Sequence, residues 1–217
     1  MSTPLLVVLH VCEKDAPLFL RTLDLCVHLD KSVPFTCLVS HDSKFDPAEI
    51  VVSAKRYFKR VATFKYTAWT GKKSWPTPQN HAWQETARYI ATLNPPVSWL
   101  WWEADATPLR AGWLQTLASA HADGGKPFTG HVVASMSHMN GVAIYPHNIA
   151  QYSVRALLHK DTHSFDRVLS MDIKKFINPL NSLIGHYVKQ GRVGIHFSTH
   201  DEIALGLDSN LVLFHGC

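Results

Sequence analysis

Two carboxylates, Glu103 and Asp105, follow an apolar stretch of the 217-residue chain that is rich in tryptophan, Val97–Trp102. The stretch is too short for a typical helix and prolines lie on both sides of it, so it predicts a buried strand. Side chains two positions apart in an extended chain point the same way, which lets both carboxylates reach one target. Hard oxygen ligands of this kind bind Mg²⁺ or Mn²⁺, with substrate phosphates completing the shell. The pair therefore predicts a divalent-metal site, and the alternative is an ordinary solvated strand end.

The elements that must position this pair predict an α/β fold. Apolar strand patterns alternate with helical patterns, the strands at residues 5–11, 35–40, 61–66 and 97–102 and the helices at 16–29, 48–58 and 79–93. This order is typical of a mostly parallel, doubly wound sheet flanked by helices, in which ligands bind beyond the carboxyl ends of the strands. The chain contains neither GxGxxG nor GxxxxGK[ST], which argues against a dinucleotide Rossmann enzyme and a P-loop protein.

The second half of the chain has a less regular pattern. It predicts helices at 109–123, 148–159, 165–177 and 182–189, with strands at 128–134, 193–197 and 211–214. Between them, Met139–Pro146 predicts a turn at Asn140 and Gly141 that leads into another strand. No internal repeat or low-complexity linker interrupts this order, so we expect one domain.

Composition and charge narrow the classes of function. The net charge is +4 and the sequence pI is about 8.9, which permits an anionic partner without requiring one. The four cysteines form no CxxC pair, which favours free thiols in a reducing compartment over a zinc site. The chain shows no signal peptide and no apolar run approaching about 18 residues, so we expect a cytoplasmic protein without a membrane span.

The acidic pair and four other stretches, taken in order, resemble GT-A glycosyltransferases. In that family an Asp-any-Asp motif or a variant of it ends a central strand and holds the metal of a nucleotide-sugar. The start of the chain resembles the family's first strand and turn, and the other stretches resemble its donor loop, its strand after the acidic motif and its late His-Gly element. The stretches are Val8–Asp15, Trp75–Trp83, Met139–Tyr145 and Phe214–Gly216.

The resemblance implies a single GT-A-like, Rossmann-like domain over residues 1–217, with a nucleotide-sugar half at 1–108 and an acceptor-side half at 109–217. It implies Mn²⁺ or Mg²⁺ held by Glu103, Asp105 and His215, and a UDP-sugar as the favoured donor. It places the donor against a set of residues along the same edge: His10, Val11, Glu13, Asp42, Trp75, Asn80, Ala104, Asn140 and Gly141. The family's late His-Gly usually continues to a lysine that grips the diphosphate, and this chain instead has Cys217. Either that contact is missing, or the chain provides it otherwise, for example from Lys72 or Lys73.

Several of these residues also have ordinary structural interpretations. Asn80 either caps its helix or contacts substrate, and Asn140 either binds sugar hydroxyls or forms an Asx turn. Gly141 either lets the backbone approach a sugar or forms a simple hairpin turn. Trp75 either stacks on a base or packs within its loop, and Asp42 either contacts the nucleotide or belongs to a plain turn.

An inverting transfer needs a carboxylate as general base near the acceptor hydroxyl. The candidates are Asp166, Asp172 and the group His200–Glu202, which contains Asp201. Asp166 is preferred because it opens a helix after the acceptor-side strand, and a helix N-cap is its alternative role. A retaining enzyme needs none of them, and the sequence does not decide between the two stereochemical outcomes.

The acceptor is the least determined part of the prediction. Similar small GT-A enzymes of phages glycosylate hydroxymethylated pyrimidines in DNA, and the basic stretch at 55–73 would suit a phosphate backbone. A saccharide or protein acceptor is the alternative, and no obligate protein partner is evident. The competing classes are a sugar-phosphate nucleotidyltransferase, a metal hydrolase and a non-catalytic nucleic-acid-binding module. A nucleotidyltransferase has a glycine-rich loop after its first strand, and residues 12–15 of this chain contain no glycine. A metal hydrolase has HExxH or a comparable cluster, and this sequence has none.

Overall fold

The computed structural model of the chain describes residues 4–71, 75–133, 138–159, 163–186 and 210–215. In the first half, strands and helices alternate as the sequence predicted. The elements are β1 (Leu5–Val11), α1 (Ala16–Asp30), β2 (Val33–Asp42), α2 (Ala48–Tyr57), β3 (Phe58–Tyr66), α3 (Thr77–Ile90) and β4 (Ser98–Trp102).

The second half adds shorter elements. They are β5 (Ala106–Pro108), α4 (Trp113–Gly124), β6 (Phe128–Val133), β7 (His138–Tyr145), α5 (Val154–Leu158), α6 (Phe165–Ile173), β8 (Ile177–Pro179), β9 (Ile184–His186) and β10 (Leu213–His215). Single 3₁₀ turns at Ile149–Gln151 and Lys174–Phe176 lie before α5 and after α6. Within the described ranges, none of the helices is both long and apolar enough to cross a membrane.

Seven of these strands form one mixed sheet in the order β3-β2-β1-β4-β7-β6-β8. The four strands of the first half run parallel, and β7 runs antiparallel to both β4 and β6. A second, three-stranded sheet has the order β5-β10-β9. The large sheet confirms the predicted mostly parallel α/β architecture.

The central strand β4 is buried on both faces, as its apolar sequence predicted. Leu100 and Trp102 pack with α1 and α4, whereas Trp99 and Trp101 pack with α3 and α6. All four side chains are fully buried. Because β4 is held from both sides, the residues that directly follow it have a fixed starting point.

Four predictions for the second half were wrong in detail. Asn140 and Gly141 lie within β7 rather than in a hairpin turn, at a register shift between the pairs Met139–Val132 and Ala143–Gly130. The helix predicted at 182–189 is replaced at Ile184–His186 by β9, which pairs with β10. The helix predicted at 148–159 is a 3₁₀ turn followed by α5, and the helix predicted at 165–177 ends at Ile173. The strand predicted at 193–197 lies outside the described residues.

Candidate metal centre

Glu103 and Asp105 lie just beyond the carboxyl end of β4, in the short turn that leads to β5. The backbone N–H of Ala106 donates to the carbonyl of Glu103 at 3.0 Å and closes this turn. Strand β10 then pairs antiparallel with β5 and places His215 opposite Ala106. Two chain segments more than 100 residues apart are therefore joined at one point by a three-residue strand pair.

This pairing gathers one imidazole and two carboxylates. His215 Nε2 lies 3.2 Å from Glu103 Oε2 and 3.2 Å from Asp105 Oδ1. The possible ligand atoms of the three residues all lie within 4.8 Å of one another. The side chains of Glu103 and His215 are largely buried, whereas that of Asp105 is 39% exposed, so the cluster opens to solvent on the side of Asp105.

The cluster favours a positive charge at its centre. Burial by itself lowers the pKa of His215, but the hydrogen bonds and negative charges of Asp105 and Glu103 outweigh it and raise the pKa to about 10. The protonated imidazole therefore bridges two carboxylates that would otherwise repel each other. A divalent cation bound by all three residues would supply the same compensation. Carboxylate oxygens with one imidazole suit Mn²⁺ well, and Mg²⁺ accepts the imidazole less readily.

The second oxygen of Glu103 is held from the opposite side. Glu103 Oε1 accepts a hydrogen bond from Gln79 Nε2 at 2.6 Å and another from the indole N–H of Trp101 at 3.0 Å. The indole N–H of Trp75, which is 75% exposed, donates to Gln79 Oε1 at 3.1 Å. Sequence reasoning missed Gln79, because a glutamine at the start of a helix carries no signal for a distant carboxylate.

Gly141 lies directly against this carboxylate. A Cβ atom built on Gly141 would lie 3.3 Å from Glu103 Oε1 and 3.3 Å from Cζ of Phe165. A side chain at this position would push the carboxylate or the ring away. Glycine therefore allows Glu103 and Phe165 to pack closely against the backbone of β7. The neighbouring Asn140 is buried, and its side-chain oxygen accepts from the backbone N–H of Val142 at 2.9 Å.

His10 and Tyr66 bring the ends of β1 and β3 to the same edge. His10 Nε2 lies 3.1 Å from the hydroxyl of Tyr66, and its ring stacks on Trp101 with centroids 5.0 Å apart. Burial lowers the pKa of His10 more than the charges of Glu103, Asp15 and Asp42 raise it. His10 is therefore a neutral, fixed ring beside the acidic cluster.

The other residues predicted to contact the donor differ in which of their atoms a ligand could reach. The side chains of Val11 and Ala104 are buried in the core, so only their backbones can face a ligand. Glu13 is exposed beyond β1. Asp42 Oδ1 accepts from the backbone N–H groups of Lys44 and Phe45, which is the turn that the sequence left as an alternative.

Asn80 is 2% exposed and has a role that the sequence did not predict. Its Nδ2 donates to the carbonyl of His163 at 2.8 Å, and its Oδ1 accepts from the backbone N–H of Phe165 at 2.7 Å. Helix α3 begins at Thr77 without a side-chain cap, so the capping alternative for Asn80 is wrong. The amide instead fixes the segment that enters α6.

Asp166 follows this segment as the second residue of α6. Its Oδ2 lies 3.6 Å from Nε2 of His138, and its Oδ1 accepts from the backbone N–H of Arg167 at 2.8 Å. Sequence reasoning missed His138, because the contact joins residues 28 positions apart. Asp172, another candidate base, accepts from Ser153 Oγ at 2.6 Å and from Arg155 Nη2 at 2.8 Å. The group His200–Glu202 with Asp201, and Lys72 and Lys73, lie outside the described residues.

Comparisons with solved structures agree with this architecture. The galactosyltransferase LgtC in complex with donor and acceptor sugar analogues is 10% identical, with a TM-score of 0.60 over 98% of this chain and 87% of that one. An active-site mutant of LgtC gives a TM-score of 0.63 at 11% identity over the same shares. Mouse xyloside xylosyltransferase 1 is 8% identical, with a TM-score of 0.61 over 100% of this chain and 98% of that one.

No protein-family model matches the sequence, and no curated protein matches it either. At identities near 10% the structural likeness establishes the fold alone. The chain therefore has the GT-A fold, as the sequence predicted from five degenerate motifs.

Proposed function

We propose that this chain is a metal-dependent glycosyltransferase that moves a sugar from a nucleoside-diphosphate sugar to an acceptor hydroxyl. The observation that carries the proposal is the cluster of Glu103, Asp105 and His215 at the carboxyl end of β4. Ligands of open α/β sheets bind at this edge, and the GT-A fold is shared with galactosyl- and xylosyltransferases. In this proposal residues 1–108 hold the donor and residues 109–217 face the acceptor.

Each residue of the cluster has a part that follows from its geometry. Glu103, Asp105 and His215 would hold the cation, which when bound neutralises charge that develops on the diphosphate leaving group. Gln79 and Trp101 keep the carboxylate of Glu103 oriented through its second oxygen. The imidazole in the ligand set favours Mn²⁺ over Mg²⁺.

The surroundings of the cluster suit a flat, polar ligand. Gly141 leaves room for a sugar beside Glu103. Trp75 presents an exposed indole that its hydrogen bond to Gln79 keeps near the cluster, and such a ring can stack on a base or a sugar. We propose a UDP-sugar as the donor.

Thermal unfolding with nucleotides tests the donor site. UDP at about 100 times its Kd together with Mn²⁺ is expected to raise the Tm by about 5 °C or more, because a ligand of the native state alone stabilises it. UDP without Mn²⁺, Mn²⁺ with UMP, and Mn²⁺ with ADP are the comparisons. If no nucleoside diphosphate shifts the Tm in the presence of Mn²⁺, the chain is not a metal-dependent transferase of this kind.

For the acceptor we propose a hydroxymethylated pyrimidine in DNA. Basic side chains are exposed along β3, the edge strand of the large sheet: Lys59, Arg60 and Lys65. Lys65 lies near the carboxyl end of β3, at the same edge as the carboxyl end of β4, whereas Lys59 and Arg60 lie at the amino end of β3. DNA bound along β3 would contact these cations while one flipped base reaches the cluster.

Sugar transfer to duplex DNA that contains hydroxymethylcytosine, compared with unmodified DNA of the same sequence, tests this acceptor. Labelled sugar from a panel of UDP-sugars is expected only on the modified DNA, and binding is expected to weaken steeply as salt increases. Replacing Lys59, Arg60 and Lys65 by glutamine should reduce that salt dependence and leave the Mn²⁺-UDP Tm shift intact. Transfer to saccharides or proteins but not to modified DNA would refute the DNA acceptor.

A further inference from the structure

A pair of ionisable side chains lies beside the cluster of Glu103, Asp105 and His215, which is called the metal cluster below. His138 begins β7, Asp166 lies in the first turn of α6, and the two approach within 3.6 Å. Their side chains are only 12% and 15% exposed. Water therefore screens this contact much less than it screens a surface pair.

The pair shares its surroundings with the metal cluster. The ring of Phe165, the residue before Asp166, packs beside Gly141, which in turn lies against Glu103 Oε1. The hydroxyl of Tyr145 donates to the carbonyl of Gly141 at 2.6 Å. Burial raises the pKa of Tyr145, and the negative charges of both Asp166 and Glu103 raise it further. The two carboxylates thus act on one phenol from two neighbouring sites.

One turn of α3 holds both sites in place. Gln79 binds the carboxylate of Glu103, and the next residue, Asn80, binds the backbone of His163 and Phe165. Asn80 and Gln79 lie next to each other in the chain, so the distance between the metal ligand and Asp166 depends on a single rigid element. Such an arrangement suits two groups that must act on one substrate.

We propose that His138 is a positioning residue that orients Asp166, and that Asp166 takes the proton from the acceptor hydroxyl; this rests on the proposed glycosyltransferase function. The acceptor oxygen forms a bond to the anomeric carbon of the donor sugar. The bond from that carbon to the diphosphate oxygen breaks, and its electron pair leaves with the nucleoside diphosphate. The hydroxyl proton passes to the carboxylate of Asp166. One displacement of this kind inverts the anomeric configuration.

The electrostatics of Asp166 explain why a partner is needed. Burial by itself raises the pKa of Asp166, but the contacts with His138 and Ser164 and the backbone N–H of Arg167 outweigh it and lower the pKa. The other groups that face this region are the phenol of Tyr145 on β7 and the neutral amide of Asn80 on α3. Without His138, burial would be less opposed, and the carboxylate would remain protonated to a higher pH.

The pH dependence of UDP release tests the role of His138. The full chain is incubated with Mn²⁺ and UDP-sugars, and water takes the place of the acceptor. His138→Phe should move the acidic limb of the rate profile upward by about 1 pH unit or more, while the Tm shift by Mn²⁺ and UDP stays as in the original chain. His138→Gln keeps a hydrogen-bond donor and should restore part of the difference.

His121→Gln is the matched control. His121 is a buried histidine bonded to Thr129 and Ser98, on α4 and away from the cluster. Its replacement should lower stability without moving the acidic limb. If His138→Phe retains Mn²⁺-UDP binding and its rate profile has the same acidic limb as that of the original chain, the inference about His138 is overturned. The proposed function is not affected by that result.

Two further measurements keep the outcomes separate. Absence of Mn²⁺-UDP binding in the original chain would refute the proposed function itself. If His138→Phe does not fold, a ¹³C titration of the Asp166 carboxyl in His138→Ala, which has no side-chain donor, replaces it, and an unchanged pKa overturns the positioning role. A product with retained anomeric configuration would overturn the role of Asp166 as proton acceptor.

Discussion

Replacing Asp105 by asparagine is expected to abolish the stabilisation by Mn²⁺ and UDP and to lower sugar transfer by about 100-fold or more. Asparagine has nearly the same volume and keeps one oxygen, but it removes a negative charge that stabilises protonated His215 and that a bound cation would need. Asp105 is the most exposed of the three clustered side chains, so we expect the fold to tolerate the change. The loss should therefore appear mainly in Mn²⁺ affinity, measured by electron paramagnetic resonance, while the Tm of the free chain falls only slightly through the weakened contact with His215.

Asp46→Asn is a control of the same chemistry at a distant position. Asp46 is exposed, and its Oδ1 accepts from the backbone N–H of Ala48 at the start of α2, which an asparagine can also do. This variant should keep both Mn²⁺ affinity and transfer. An Asp105→Asn chain that binds Mn²⁺ and UDP as tightly as the original would show that the cluster is not the metal site.

The sequence predicted the acidic half of this cluster from local pattern alone. An apolar run followed by Glu103 and Asp105 needs only the period of a strand and the rule that ligands bind at its carboxyl end. The place of His215 came from the family resemblance instead. Its contact with the acidic pair depends on β5 and β10, which have three residues each, too short to leave a periodic pattern.

The residues that sequence reasoning missed share one property. Gln79 and His138 matter because of partners far along the chain, Glu103 and Asp166, that only the folded sheet brings near. A local sequence pattern predicts the secondary structure of a segment and which of its faces is buried. It carries no information about pairs of residues that are distant in the sequence. At Asn140 the local turn signal appears as a side-chain bond to Val142 within β7, because β6 pairs with this strand on both sides of the register shift.

Replacing Trp102 by alanine is expected to lower the free energy of unfolding by about 3–5 kcal/mol. Trp102 is fully buried at the end of β4, and its ring packs edge-on against Trp113 with centroids 4.9 Å apart. Its indole N–H also donates to the carbonyl of Ala106 at 2.7 Å. The variant would thus have both a large cavity and a buried acceptor without its donor. Urea unfolding of the two chains measures the difference.

Trp75→Ala is the control that separates the loss of a buried tryptophan from the loss of a tryptophan as such. Trp75 is 75% exposed, so its removal should change the free energy of unfolding by about 0.5 kcal/mol or less. Trp102→Ala should in addition weaken Mn²⁺ binding, because the bond from Trp102 to Ala106 fixes the turn that carries Glu103 and Asp105. A Trp102→Ala chain with full stability would mean that the core around β4 refills the cavity. One with reduced stability and full Mn²⁺ affinity would mean that the closing bond between Ala106 and Glu103 holds the acidic turn without support from the indole.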